Sequence, residues 1–583
     1  MTNSQDSQDL KKSHFFRHDR HALIIETLVL ALFLVSTLAW RIFLIQRETI
    51  NPDEMFLVGG AYRVHSGMLP YLDYIDVHAP LIYKIYAPLI GLIGERPDFV
   101  DIFRWINWFL MVAFCIVMFL LIKRAFNGIL ALWSLCILNS FVFFIESTVH
   151  ARPDALALVI FLLSLFLLIS RNKNGDSTWR RILSFIGFGL ATSLHITIAF
   201  PTAAVLIWLL IENWGRGSRL QAFKTAFFCG MASVIAYVLS CAIVFGHRLS
   251  AALIMYPKMF KFDRLYQSLA EYNTLQIFKT ILSNSPLPWI LIGCAVLISN
   301  VKWLTRGLKN SHAKLFTLLT DMGVAFLLVH EDFEQYYFSL VIFGSILAAL
   351  MLKEWTRNLQ SRFHHTPKGV FDLSIALVLT LSSLATCANF QIQMEKKDSF
   401  ARKRLSNMQM PALQADGSWA PSDIKKWMAQ QAPSFDPFNY RPKEQRIAQI
   451  QFMLEHSKPN DVVFSDWLNP PYRNLPAPIH HGYPISLFYK SRKLRNNPKM
   501  VELLHHYDPY YSIDDQSETE HMIRLFEKTQ PTLLLLDGSL GQLFFSDDIF
   551  QKWITDRYRL IIEPKSSSVF AILRSHSEPI KVQ

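Results

Sequence analysis

A polytopic α-helical membrane protein of about eleven spans, followed by a soluble C-terminal α/β domain, is the fold class that the sequence predicts from three observations. Of 583 residues, 51% are hydrophobic and only 18% are charged, whereas an ordinary soluble domain carries about 25% charge. Apolar runs close to the ~20 residues that a spanning helix needs recur from His21 to Phe390. Beyond residue 390 the chain turns polar and mixes helical with β-prone periodicity. A mean hydropathy of +0.22 excludes disordered, collagen-like and coiled-coil chains.

The spans are expected near 22–45, 103–122, 128–145, 155–170, 182–199, 201–212, 225–246, 287–304, 314–330, 337–352 and 370–390. Pro201 divides the 182–199 and 201–212 pair, whose second half is short enough to be re-entrant or tilted. Net charge is +12, but Lys and Arg sit mainly between apolar runs, which is the positive-inside pattern and not a nucleic-acid surface. Lys123/Arg124, Arg171–Arg181, Arg216–Lys224, Lys302–Lys314 and Lys353–Lys368 fall on alternate sides and are expected in the cytoplasm. The opposite side then receives 46–102, 146–154, 247–286, 331–336 and everything after 390. Lys396, Lys397, Arg402, Lys403 and Arg404 oppose that assignment, although long domains translocate regardless of charge. All six cysteines fall in apolar segments, so no disulfide framework is implied. Lys11, Lys12, Arg17 and Arg20 precede a long apolar run without a small-residue cleavage site, which predicts a retained first span.

The expected organisation is a cytoplasmic tail over 1–20, a membrane domain over 21–390 with its first outside loop at 46–102, a linker over 391–442 and an α/β domain over 443–583. The linker opens with an amphipathic stretch suited to the membrane surface, bearing Met394, Phe400, Leu405 and Met408 among basic residues. In the last domain, Lys443–Lys458 reads as a helix, whereas Val462–Phe464, Thr532–Leu536, Arg559–Ile562 and Val569–Leu573 read as strands. Ser546, Asp547 and Asp548 cap a helix presenting Ile549, Phe550, Trp553 and Ile554. Neither a G-x-G-x-x-G run nor a Walker Lys occurs there.

Residues suited to chemistry gather on the side opposite the basic loops. Asn51-Pro52-Asp53-Glu54 follows the first span and sets two carboxylates side by side. Such a pair raises one pKa and suits proton transfer. The alternative is that Asp53 caps a Met55–Val64 helix and Glu54 favours its dipole. Gly67–Asp73 and Asp76–Tyr83, with His78, come next in the same loop. Between two later spans lie Glu146, His150, Arg152, Pro153 and Asp154. Ionisable groups at such a junction are functional or paired, here Arg152 with Asp154 or Glu146. Glu331, Asp332, Glu334 and Gln335 precede Tyr336 and Tyr337, two residues that also fit an interfacial aromatic belt.

The order of these motifs resembles the GT-C membrane glycosyltransferases, and is most similar to the bacterial branch related to protein O-mannosyltransferases and lipid A aminoarabinose transferases. The resemblance rests on Asp53-Glu54, Gly67…Pro70-Tyr71…Asp73, His78-Ala79-Pro80-Leu81…Tyr83, Arg152-Pro153-Asp154 and Phe333-Glu334-Gln335-Tyr336-Tyr337, and covers about 1–390 plus the outside domain. It implies that Asp53 is the acceptor-activating base, with Glu54 beside it, that Asp154 is a second acid at the reaction centre, and that Arg152 and Tyr336 lie near the donor phosphate. His78 stands where relatives carry a Glu or His able to touch a divalent metal ion, the one cofactor implied. Ala79 departs from relatives with a Lys that meets a charged sugar, which argues against aminoarabinose. Lys258, Lys261 and Arg264 are candidates for phosphate contact, or cations facing lipid headgroups.

The implied function is transfer of a sugar from a polyprenyl-phosphate donor to a hydroxyl of an envelope glycolipid, polysaccharide or protein, at the outer face of the cytoplasmic membrane. The rival is a transporter or flippase, which would place ionisable residues at mid-membrane. Here the charges gather at span ends, with Glu212, Asp321 and His195 as the main exceptions.

Overall fold

In the computed structural model, long apolar helices carry most of the chain. The structure describes residues 3–74, 76, 78–170, 178–214, 218–269, 279, 282–308, 310–327, 337–363, 369–406, 411, 419–430, 442–465, 473, 501–502, 506 and 517–574. Among these, seven helices are long and apolar enough to cross a membrane: Leu23–Arg47, Phe99–Ala125, Ile196–Trp214, Arg219–Met259, Pro286–Thr305, Phe338–Arg362 and Val370–Ser399. Leu81–Ile93, Gly128–Leu138 and Asp154–Ile169 are shorter apolar helices.

Two departures from the expected spans have local causes. The run 128–145 is not one helix, because α1 (Gly128–Leu138) ends at Asn139 and a short helix restarts at Val142. The amide of Asn139 donates to the Leu135 carbonyl and the Ser140 hydroxyl to that of Cys136, the local competition by which polar side chains loosen a helix. Pro201 does not divide 182–212. It lies in the first turn of α3 (Ala199–Trp214), where its missing N–H is harmless. The break falls earlier, at His195, between α2 (Thr178–Leu194) and a 3₁₀ turn over Ile196–Ile198. The last span also runs on as one helix through Ser406, so the first part of the expected linker continues the span.

The chain divides into two compact units. The first comprises Met1–Ile45, Ile106–Ser240 and Asn273–Ile392, and the second Gln46–Trp105, Cys241–Tyr272 and Gln393–Gln583. The second thus gathers three of the segments that the charge pattern sets opposite the basic loops.

In the first unit, small residues let helices approach closely. A Cβ at Gly189 would fall 2.1 Å from the Ser233 carbonyl oxygen, and one at Gly323 would fall 2.8 Å from the Leu340 nitrogen, the close helix contact that membrane packing favours. One buried polar knot ties the spans. Glu26 accepts from Trp133 Nε1 at 2.6 Å and pairs with Lys353 Nζ at 2.6 Å, and Lys353 also reaches Asp372 at 3.0 Å. These three charges at span ends are thereby matched, as a low-dielectric setting requires.

In the second unit, four strands, β1 (Val463–Phe464), β2 (Leu533–Leu535), β3 (Tyr558–Glu563) and β4 (Ser568–Leu573), form a sheet in the order β1-β2-β4-β3. β1 runs parallel to β2 and the other pairs are antiparallel, with Leu534 opposite Ala571 and Leu560 also opposite Ala571. All four coincide with the β-prone runs. The helix Lys443–Glu455 covers one face, stacking Phe452 on Phe570 at 4.2 Å between ring centroids. Lys443 Nζ lies 2.6 Å from Asp101 and Arg473 Nη2 lies 3.2 Å from Glu95, so this domain is pinned to the first loop by ion pairs.

Candidate active site

α4 (Pro52–His65) starts where the sequence places Asn51, Pro52, Asp53 and Glu54. Asn51, not Asp53, is its cap: the Asn51 side chain accepts from the Asp53 N–H at 2.9 Å, and Glu54 accepts from the Asn51 N–H at 2.9 Å. This reciprocal box satisfies the orphan donors of the helix start. Pro52 adds a fixed φ where no N–H is needed. The Asp53 carboxylate is therefore not the cap, and Asp53 is half-buried in the first turn.

Glu54 is fully buried. Its Oε1 accepts from Arg104 Nε at 2.7 Å and its Oε2 from Arg104 Nη2 at 2.6 Å, while Arg104 also donates to the Glu48 and Thr49 carbonyls at 2.7 and 2.6 Å. A fork-to-fork pair with every oxygen bound holds the helix start rigidly. The two expected carboxylates thus separate into an anchored Glu54 and an Asp53 held beside it.

His78 lies in the same unit, on the turn that follows. Its Nδ1 is 3.0 Å from Asp76 Oδ1, its backbone N–H donates to the same oxygen at 2.8 Å, and its carbonyl accepts from the Tyr71 hydroxyl. Asp76 is buried, whereas the His78 side chain is 39% exposed. Tyr71 holds φ at 64°, a left-handed conformation that a bulky residue rarely adopts and that concentrates at functional sites. Its ring packs against Tyr256 at 5.1 Å and Phe245 at 5.7 Å. Behind this turn, the Arg63 guanidinium carbon lies 4.8 Å from the Tyr74 ring centroid. Burial pulls the Arg63 pKa down to about 10, against upward pulls from Tyr74, Asp76 and Tyr83, so it stays cationic at neutral pH. A carboxylate on one imidazole nitrogen is the arrangement that orients metal-bound histidines, and among the described residues no group of three converging ligand atoms includes His78.

Arg152 and Asp154 lie in the first unit. Asp154 opens α5 (Asp154–Ile169), where a carboxylate complements the helix dipole. It is buried, with Oδ2 3.2 Å from Arg152 Nε and Oδ1 3.1 Å from His195 Nε2. His195 Nδ1 in turn meets the Thr197 hydroxyl. A small cleft here is lined by Asp154, His195, Thr197, Phe326, Phe338 and Ser339, among others. Of the two partners weighed for Arg152, the structure shows Asp154.

Lys258 is exposed on the helix Leu249–Leu269. Tyr336, with 331–335, and the side chains of Lys261 and Arg264 lie outside the described residues. Sequence reasoning named His195 only as an ionisable residue inside a span and missed Arg104 and Asp76 as partners. The readable signal for His195 was that same misplaced charge in an apolar run.

Residues 78–244 match the dolichyl-phosphate-mannose-protein mannosyltransferase family. The structure also resembles ArnT from Cupriavidus metallidurans bound to undecaprenyl phosphate, with a TM-score of 0.52 and 12% identity over 94% of this chain and 99% of that one. The fold is thus one that ArnT shares, and the family match covers residues 78–244. Weaker likenesses are to the Archaeoglobus fulgidus oligosaccharyltransferase in complex with Zn and sulfate (TM-score 0.43, 12% identity, 76% of this chain) and the S. cerevisiae Pmt1-Pmt2 complex bound to the sugar donor (TM-score 0.29, 18% identity, 38% of this chain and 34% of that one). The chain spans 60% of the length of the A. fulgidus protein. No curated protein matches it in sequence.

Proposed function

We propose that this protein is a GT-C membrane glycosyltransferase that transfers a sugar from a polyprenyl-phosphate donor to a hydroxyl acceptor, an envelope glycolipid, polysaccharide or protein, at the outer face of the cytoplasmic membrane. The observation that carries the reading is a part-buried Arg152–Asp154 pair at a helix start, in a fold whose ArnT relative binds undecaprenyl phosphate. Arg is the residue suited to gripping two phosphate oxygens at once.

In this mechanism Asp53 takes the proton of the acceptor hydroxyl, whose oxygen attacks the anomeric carbon from the face opposite the phosphate. The bond from that carbon to the phosphate oxygen breaks, and its electron pair leaves with the lipid phosphate. A phosphate monoester has a second pKa near ~6, so the leaving group needs positive charge more than a proton. Arg152, with Lys258 and Tyr336, supplies fixed positive and hydrogen-bonding groups there. Asp154 favours the oxocarbenium character of the sugar. A divalent ion held by His78 would add Lewis-acid charge stabilisation. Glu54 and Arg104 keep the first turn of α4, and with it Asp53, in place.

Mass spectrometry of envelope glycolipids and glycoproteins tests this reading in cells with the protein, without it, and with Asp53→Asn. One glycan modification should disappear in the last two. An unchanged glycan inventory in the deletion strain would contradict it.

A further inference from the structure

His195 has no part in the transfer as described above, yet the backbone is broken to place it. The two spans expected over 182–212 meet not at Pro201 but at His195, whose φ and ψ are −149° and 112°. Broken backbone in a membrane segment is tolerated where its polar groups are satisfied and a cavity is lined. Both conditions hold. The His195 N–H donates to the Ala191 carbonyl at 3.0 Å, its carbonyl accepts from the Ile198 N–H at 3.1 Å, and its side chain lines the cleft with Asp154, Thr197 and Ser339.

The side chain bridges two partners. With Asp154 ionised, Nε2 carries a proton and donates to Oδ1, while Nδ1 shares a hydrogen bond with the Thr197 hydroxyl. A continuous chain then runs from Thr197 through His195 and Asp154 to Arg152. Asp154 is held on one oxygen by His195 and on the other by Arg152, which removes its freedom to rotate.

We propose that His195 is a positioning residue for the transfer reaction: it locks Asp154, and through Asp154 it sets the orientation of the Arg152 guanidinium toward the donor phosphate. The proposal rests on the reading of Arg152 as the donor-phosphate contact. A misplaced stabilising group acts mainly on the transition state, so turnover suffers more than donor binding.

The test is steady-state transfer in nanodiscs from a synthetic polyprenyl-phosphate sugar, with His195→Ala, His195→Gln, Arg152→Lys and the double variant His195→Ala/Arg152→Lys. Gln can place an amide N–H where Nε2–H stands. His195→Ala should lower kcat by ~10–100-fold, the range for a displaced catalytic group, with donor KM changed by less than ~3-fold. His195→Gln should recover most of that loss. In the Arg152→Lys background, His195→Ala should lower kcat by only ~2-fold more, because groups in one network are not additive. Full multiplication of the two losses would overturn the proposal, as would an unchanged kcat in His195→Ala. A merely structural His195 would instead lower yield and melting temperature while leaving kcat per folded molecule intact. Arg152→Ala, run alongside, separates the two claims. If it transfers normally, the donor-phosphate reading fails; if it is dead while His195→Ala is normal, only the positioning role fails.

Discussion

Glu54 and Arg104, fifty positions apart in sequence, meet as a fully buried two-pronged ion pair, with Nε–Oε1 at 2.7 Å and Nη2–Oε2 at 2.6 Å. Removing one partner strands the other without compensation, which costs about 3–5 kcal/mol. Glu54→Gln should therefore lower the melting temperature of the purified protein by several degrees, as followed by intrinsic fluorescence in detergent. A melting temperature equal to wild type would remove Glu54 from its anchoring role.

Asp53→Asn should behave in the opposite way. The helix cap is Asn51 and stays intact, so melting should match wild type, whereas activity should fall at least ~100-fold, as for a lost general base. Comparing initial transfer rates with melting curves for the same preparations checks both halves. Retained activity would reduce Asp53 to a surface acid.

Arg152→Lys keeps the charge but loses the planar fork that meets two oxygens at once. Most turnover should be lost, and Arg152→Ala should lose donor binding as well, read by titration with a fluorescent polyprenyl phosphate. Failure of both variants to fold would assign Arg152 to pinning the turn through Asp154 alone.

The helix Asp548–Arg557 is capped by Asp547, which accepts from the Ile549 and Phe550 N–H groups at 2.9 and 3.0 Å. Burial raises its pKa, but the Thr519 hydroxyl and those two amides outweigh it and leave the value lowered. A lowered folded-state pKa means stability that is complete above the unfolded value of about 3.9 and is lost as the pH falls below it. Asp547→Ala should cost about 1 kcal/mol and Asp547→Asn much less. Hydrogen-exchange protection at Ile549 and Phe550, taken relative to the intrinsic rate at each pH, should fall on acidification in wild type and show no such added step in Asp547→Asn.

Ser66 and Ser546 are both exposed in the second unit. Cysteines placed there should both be labelled by a membrane-impermeant reagent in spheroplasts, above a low background, because four of the six native cysteines are buried. Labelling at Ser66 alone would put the C-terminal domain in the cytoplasm.

Local patterns were legible and distant pairings were not. Val462–Phe464 and Val569–Leu573 announce strands through β-branched and aromatic runs, and Asp547 announces a cap, because each depends on neighbours within a few residues. The Glu54–Arg104 pair and the His195–Asp154 contact join positions fifty and forty-one residues apart, and nothing in one sequence marks which cation meets which acid. The break at Asn139 was hidden for another reason, since apolar flanks of one continuous run outweighed two polar residues in a periodicity argument.

The central claim is that the sugar arrives on a lipid phosphate. Purified protein in nanodiscs, offered a polyprenyl-phosphate sugar in one reaction and the matching nucleotide sugar in another, tests it most directly. The account predicts transfer to acceptor only from the lipid-linked sugar, with polyprenyl phosphate released in equal amount. Transfer from the soluble nucleotide sugar with no lipid carrier present would contradict it.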